Sequence, residues 1–316
     1  MFCDPAVDAA MARDGYVTVP FLSSDEVEEI LEGYRRIVPT PDEGVMAFDY
    51  MRPDRSAMEA VAGLLAPYWE RHLPGLFVDH DVVFSTFVIK PPSADSTMYL
   101  HDDRTYVDES RHRSCTVWIP LVDTSPELRN GCLHVVVGSH RIMTAASGTN
   151  TPDWIRPFEG YLAAHATPVS VPAGSALVYD TRTVHSSPPN LSDRPRPAIA
   201  AAMAPRGAEL IHVFADDLHH RRVFAIDKDF FVRWHPRQLE RRMPPDYPLI
   251  REYDEPVVDA DPAVVAAVCD PSDIPVPTGP AAIPEPPPPP EGLDLEPGGS
   301  GSRRARFWRR LRAGTG

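Results

Sequence analysis

Lysine is nearly missing from this chain of 316 residues: Lys90 and Lys228 are the only two, and all other formal positive side-chain charge is arginine. Acid outweighs base, with 45 Asp and Glu against 31 Lys and Arg and a net charge of −14. Residues 303–312 hold six arginines and no acid, so the remainder carries −20 (−14 − 6). A body that acidic repels phosphate backbones and argues against nucleic acid as the main partner. The preference for arginine over lysine reads as genome composition, not function. Cysteine is scarce as well. Cys3, Cys115, Cys132 and Cys269 show no C-x-x-C spacing, which argues against a cysteine zinc site. Cys115 and Cys132 sit in apolar, strand-like runs and read as reduced core thiols. No apolar run reaches the roughly 18 residues of a membrane span, and no signal-peptide pattern is visible. The expectation is a cytoplasmic protein with no transmembrane segment.

Apolar residues make up 43% of the chain, enough for a substantial core. Residues 23–38 read as a helix, with Ser23 and Glu26 in a capping-box pattern and Val27, Ile30, Leu31 and Tyr34 at helical spacing. A second helix is expected over 56–72, kinked at Pro67. From about residue 81 the pattern becomes short, β-branched runs: 82–90, 98–103, 115–122, 132–137, 167–171, 175–180 and 197–204. Asn130-Gly131 and Pro172-Ala173-Gly174 read as turns between them. Helices followed by many short strands predict a mainly β fold with flanking helices, a sandwich or jelly roll. Residues 205–255 read as mixed, with helical stretches. A folded domain is expected over 1–262. A Pro/Gly-rich disordered linker should follow over 263–302, with the proline run Pro286–Pro290 inside it. A basic tail occupies 303–316. Phe307, Trp308 and Leu311 share a helical side there, which suits docking on an acidic partner or surface, although a solubilising tail is the plainer reading.

The chemistry concentrates at His101-Asp102-Asp103 and His185. Side chains of an extended chain alternate, so Asp103, not Asp102, shares a face with His101. Two imidazoles and one carboxylate form the facial triad that holds non-haem Fe(II) and leaves its other positions open. One H-x-D in a chain with 12 histidines is weak evidence. The later segment adds weight, because a strand, a tight turn and a second strand lead to His185. An oxygenase of this type draws electrons from a co-substrate such as 2-oxoglutarate. The far carboxylate of that co-substrate needs a guanidinium that can donate two parallel hydrogen bonds. Arg194 and Arg196 are the candidates, and Ser187 supplies a further donor. The plainer reading of either arginine alone is a surface charge in a Pro-rich loop.

Several ordered elements extend the pattern: Asp14-Gly15-Tyr16, Lys90-Pro91-Pro92, His101-Asp102-Asp103, Val117-Trp118-Ile119-Pro120-Leu121, Asn130-Gly131-Cys132-Leu133, Gly138-Ser139-His140, Ala173-Gly174 and His185-Ser186-Ser187-Pro188-Pro189-Asn190 with Arg196. Over about residues 10–235 the chain resembles the phytanoyl-CoA dioxygenase family of Fe(II)/2-oxoglutarate oxygenases. The resemblance implies a double-stranded β-helix (jelly-roll, cupin-like) core with Fe(II) on His101, Asp103 and His185. It implies 2-oxoglutarate on Arg196, eleven residues after the distal histidine, with Ser187 as a contact, and O2 as oxidant. The implied reaction hydroxylates an unactivated C–H of a small molecule and releases succinate and CO2. Related halogenases replace the carboxylate ligand with a small residue, so Asp103 favours hydroxylation. Relatives often carry Gln where Asp102 stands and an aromatic where Arg104 stands, which leaves the substrate open.

Tyr99 and Thr116 are expected to add co-substrate contacts, and Tyr106, Trp118, Asp102 and Arg104 to line the substrate side; for the aromatics and Thr116, barrel core is an equal reading. His140 reads as a surface turn residue, and His219-His220-Arg221-Arg222 as a solvated helix face. His112 and His134 read as structural. Two rivals remain: a jelly-roll metalloenzyme that does not use 2-oxoglutarate, and a catalytically silent β-barrel binding module.

Overall fold

The computed structural model describes residues 1–38, 47–48, 55–143, 146–255, 260–273 and 275. Most of the expected linker and the whole basic tail lie outside the described residues, and so does the tail's expected docking. The chain opens with α1 (Pro5–Asp14), capped at its start by the Asp4 carboxylate and at its end by Gly15 in the left-handed region (φ 82°). β1 (Tyr16–Pro20) and α2 (Ser24–Ile37) follow. The Ser23/Glu26 capping box forms at the start of α2 as expected. After β2 (Ala47–Phe48), α3 (Arg55–Leu76) runs past the expected end at residue 72 and holds both Pro67 and Pro74.

Glu26 also staples α2 to α3. Arg71 Nη1 and His72 Nε2 lie 2.6 and 2.9 Å from Glu26 Oε1. Burial alone would raise this carboxyl, but the Ser23 N–H, His72 and Arg71 outweigh it and hold it at about 2. A carboxyl depressed in the folded state stabilises fully above its ordinary value of 4.5, and that contribution is lost as pH falls toward 2. Glu26→Gln should cost about 1–3 kcal/mol at neutral pH. Urea midpoints of the two proteins should converge between pH 4.5 and 2. A constant gap across that window would remove the staple from the stability of the fold.

The remaining strands are β3 (His80–Lys90), β4 (Met98–His101), β5 (Cys115–Pro120), β6 (His134–Val136), β7 (Ala166–Pro168), β8 (Ser175–Asp180), β9 (His185–Ser187), β10 (Arg196–Pro205), β11 (Ile211–Ala215), β12 (His220–Ala225) and β13 (Leu249–Asp254). Short helices α4 (Glu159–Ala164), α5 (Phe230–Arg233), α6 (Pro236–Leu239) and α7 (Pro262–Cys269) lie between and after them. The strands make three antiparallel sheets, ordered β1-β8-β5-β10-β3-β2, β4-β9-β6-β7 and β11-β12-β13.

Alternation along the long strands builds two cores. Cys115, Val117 and Ile119 of β5, with Val178 of β8 and Ile199 of β10, face α2 and α3. Trp118, Leu177, Tyr179 and Ala198, from the other face, meet Val135 of the four-stranded sheet. Two sheets facing each other with helices outside one of them is the expected jelly-roll arrangement.

Asn130-Gly131 turns as expected, with Arg129 and Gly131 at φ 51° and 75°, and the chain crosses there from one sheet to another. Two other expectations need correction, at 219–222 and at 263–269. Residues 205–255 are mixed as expected, with the short helices α5 and α6 beside β11, β12 and β13. His219–Arg222 is no helix face: Arg221, on β12, is 1% exposed and donates to the carbonyls of Asp217 and Leu218. Polar side chains at buried strand positions hide the alternation that would mark this sheet. Finally, α7 occupies positions assigned to the linker. Asp261 caps it, and Val265 packs with Val136, Trp154, Phe158 and Val184. Eight residues would not stay helical alone; burial of this apolar face supplies what propensity lacks.

Candidate metal centre

β4 and β9 are neighbours, and their pairing sets His101 opposite His185. The two rings lie 4.2 Å apart, centroid to centroid. Each imidazole has Nδ1 against a backbone carbonyl: His101 on Tyr99 O at 2.8 Å and His185 on Thr183 O at 2.9 Å. Nδ1 donates in both contacts, so both Nε2 lone pairs are free to ligate. Burial, and then the neighbouring His101, push the His185 imidazole down to about 4, which keeps it neutral. Asp103 lies just past the end of β4. Its N–H donates to Thr181 O at 2.7 Å, and Thr116 Oγ1 donates to its Oδ2 at 2.5 Å. One ligating atom from each of His101, Asp103 and His185 lies within 4.8 Å of the others. Among the described residues it is the one such group of three His, Cys, Asp or Glu.

Arg196 opens β10 on the same interior face as Ala198 and is 1% exposed. Its guanidinium lies over the Trp118 ring, 5.0 Å from the centroid, and Nη1 donates to Gly131 O at 2.6 Å. Arg196 Nε and Ser187 Oγ are both buried with no hydrogen-bond partner among the described residues. Nε of Arg113, Arg221, Arg222 and Arg237 is orphaned as well, but each of those guanidiniums has a carboxylate within 4.0 Å. Arg196 has none among the described residues, and a buried guanidinium without a counter-charge fits an absent anion. Lys90, 0% exposed at the end of β3, donates to the carbonyls of Ser96, Ser187 and Pro188. Burial, and then the charge of Arg196, pull its ammonium down to about 7.

The other expected site residues divide. Thr116 holds Asp103 Oδ2. Trp118 floors the Arg196 guanidinium and does not face outward. Tyr99 is 72% exposed, because the β4–β9 register shifts between Met98 and His101 and breaks the parity that put Tyr99 beside the ligands. Tyr106 packs edge-on against Phe84 and Phe231 in a core cluster. Asp102 accepts the Trp154 indole N–H at 3.0 Å, and burial raises its carboxyl to about 6 although that bond lowers it. Arg104 is half-buried. His140 is no surface turn: it is 4% exposed, with Nε2 donating to Ala12 O at 3.2 Å. His134 is half-buried on β6, outside the group of three.

Sequence reasoning missed Tyr179. Its ring lies 4.5 Å from that of His185, and burial, then the charge of Asp103, raise its phenol well above the ordinary value. The alternation that buried Leu177 toward the second sheet was the available signal.

Two imidazoles and a carboxylate on neighbouring elements of a jelly roll could hold a metal ion, with a buried arginine in the same interior. The phytanoyl-CoA dioxygenase family model matches residues 11–198, and the chain belongs to that family. It is 30% identical over 125 residues to the Phytanoyl-CoA dioxygenase domain-containing protein 1 of Bos taurus. That match covers 37% of this chain and spans only 42% of the relative's length. Among solved structures, the chain is similar to the non-heme alpha ketoglutarate dependent carbocyclase SnoK from nogalamycin biosynthesis. The TM-score is 0.50 at 20% identity, over 66% of this chain and 86% of that one. The likeness is one of fold, a double-stranded β-helix core with flanking helices.

Proposed function

We propose that this chain is an Fe(II)- and 2-oxoglutarate-dependent dioxygenase that hydroxylates an unactivated C–H of a small molecule. The observation that carries the reading is the pairing of the His101/Asp103/His185 group with two buried, unsatisfied donors on Arg196 and Ser187. The metal, the keto acid and O2 would supply the oxidising chemistry and leave succinate and CO2. The chain's own residues bind, orient and exclude water. His101 and His185 offer neutral nitrogens whose rings are fixed by the Tyr99 and Thr183 carbonyls. Asp103 offers an anionic oxygen while Thr116 holds its other one. Arg196 and Ser187 clamp the distal carboxylate of the co-substrate, with Trp118 and Lys90 fixing the guanidinium's surroundings. Asp102 and Arg104 stand on the substrate side. The catalytic unit in this reading runs from residue 1 through α7, with the Pro/Gly-rich stretch and the 303–316 tail appended.

Two further points support the setting. All four cysteines are free thiols, as a reducing cytoplasm would keep them. No helix among the described residues is long and apolar enough to cross a membrane.

The test is anaerobic titration of the Fe(II)-loaded chain with 2-oxoglutarate, watched for the weak visible charge-transfer band of the chelate. The band is expected to appear and saturate. Iron bound without the band would move the reading to a metalloenzyme that does not use 2-oxoglutarate. No iron bound would move it to a silent binding module.

A further inference from the structure

We propose that the α1–β1 junction and the turn at Gly138–Arg141 form a clasp that positions two of the three metal-holding side chains. The clasp acts through the last residue of β8, Asp180, and the loop at 181–184 that leads to β9. This role rests on the metal-holding reading of His101, Asp103 and His185 given above.

The loop carries the two carbonyls on which the ligands depend. Thr181 O takes the Asp103 N–H at 2.7 Å, and Thr183 O takes the His185 Nδ1–H at 2.9 Å. Neither carbonyl is free to move, because the loop is gripped from two sides. On one side Gly15 O accepts both the Asp180 N–H and the Thr183 hydroxyl, each at 2.9 Å. On the other, Ser139 Oγ accepts the Val184 N–H at 2.8 Å. The two sides are tied to each other: the Gly138 N–H donates to Asp14 O at 2.8 Å, and His140 Nε2 donates to Ala12 O at 3.2 Å.

The approach is too close for any side chain at Gly15. A Cβ there would lie 2.4 Å from His140 Nδ1 and 2.8 Å from Thr183 Oγ1, on a residue already at φ +82°. Thr183 and Ser139 are fully buried and Thr181 is 1% exposed, so water cannot replace a lost bond without rearrangement. From the opposite face, Ser114 Oγ lies 3.0 Å from the Thr181 hydroxyl. None of these residues belongs to the group of three. They set where the Asp103 backbone sits and how the His185 ring is turned, and partners of that kind decide metal affinity. Thr183, Ser139 and Gly15 are therefore positioning residues.

Gly15→Ala is the obvious variant, but its clash can unfold the junction outright. Thr183→Val keeps the shape and removes only the hydroxyl that reaches Gly15 O, and Thr183→Ser keeps the hydroxyl. Ile30→Val, a fully buried change on α2 away from the clasp, controls for general loss of stability. The metal-free full chain is titrated with Co(II), followed by its visible absorption, and the melting of each metal-free protein is recorded alongside. Thr183→Val is expected to weaken Co(II) binding about tenfold or more, and Thr183→Ser to stay within about threefold of the unmodified chain. Ile30→Val is expected to lower the melting temperature with Co(II) affinity unchanged. Thr183→Val binding within about twofold of the unmodified chain overturns the clasp, and so does an equal loss in Ile30→Val. An unmodified chain that binds no Co(II) overturns the metal reading itself, and the clasp with it.

Discussion

Asp103→Ala should abolish metal-dependent turnover, by about a thousandfold or more, while the barrel stays folded. The carboxylate is the one anionic member of the group; without it two neutral imidazoles remain, and they hold a divalent ion poorly. The cost to the fold should be small. Asp103 is half-buried, its backbone bond to Thr181 O survives the change, and the Thr116 hydroxyl and the Tyr179 phenol, which lose it as a partner, still have each other. Succinate release per enzyme, measured against circular dichroism of the same sample, checks both halves. Turnover within about threefold of the unmodified protein would show that the carboxylate ligand has been misassigned.

Arg196→Ala should act on the co-substrate. A bidentate, charge-assisted carboxylate clamp in a dry site contributes about 2–4 kcal/mol, so the 2-oxoglutarate KM should rise by roughly 30- to 1000-fold. At saturating 2-oxoglutarate, kcat should fall far less, because Arg196 is not in the group of three. The variant should also lose stability, since the Gly131 carbonyl and the Trp118 ring face lose their partner. Arg196→Lys should recover only part of the affinity, because an ammonium keeps the charge and lacks the planar fork. A KM unchanged in Arg196→Ala would remove 2-oxoglutarate from this pocket.

What could be read along the chain followed the range of the forces involved. The start of α2 was legible because a capping box closes within four residues, between Ser23 and Glu26. The turn at Pro172-Ala173-Gly174 was legible for the same reason, with Gly174 at φ 79° and the Ser175 N–H on Pro172 O. Choosing Asp103 over Asp102 needed only the alternation of an extended chain, and the structure brings Asp103 to the histidines while Asp102 turns to Trp154. The same rule failed at Tyr99, two residues before His101. Tyr99 points outward because a register shift between β4 and β9 intervenes, and a shift belongs to the pair of strands, not to either one.

By itself, then, the amino-acid sequence determined which side chains could hold a metal, the extended segments that carry them and the helix that covers the outer core. Those are properties of residue type and of spacing over a few positions. The tertiary structure alone decided that Tyr179 and Lys90 stand beside the site, that Thr116 serves Asp103 and that Tyr106 belongs to the core. It alone folded 211–254 into a third sheet and held α7 as a helix. Each of those outcomes depends on which face meets which neighbour, often a hundred residues away. Burial, not local preference, assigns a side chain its role there.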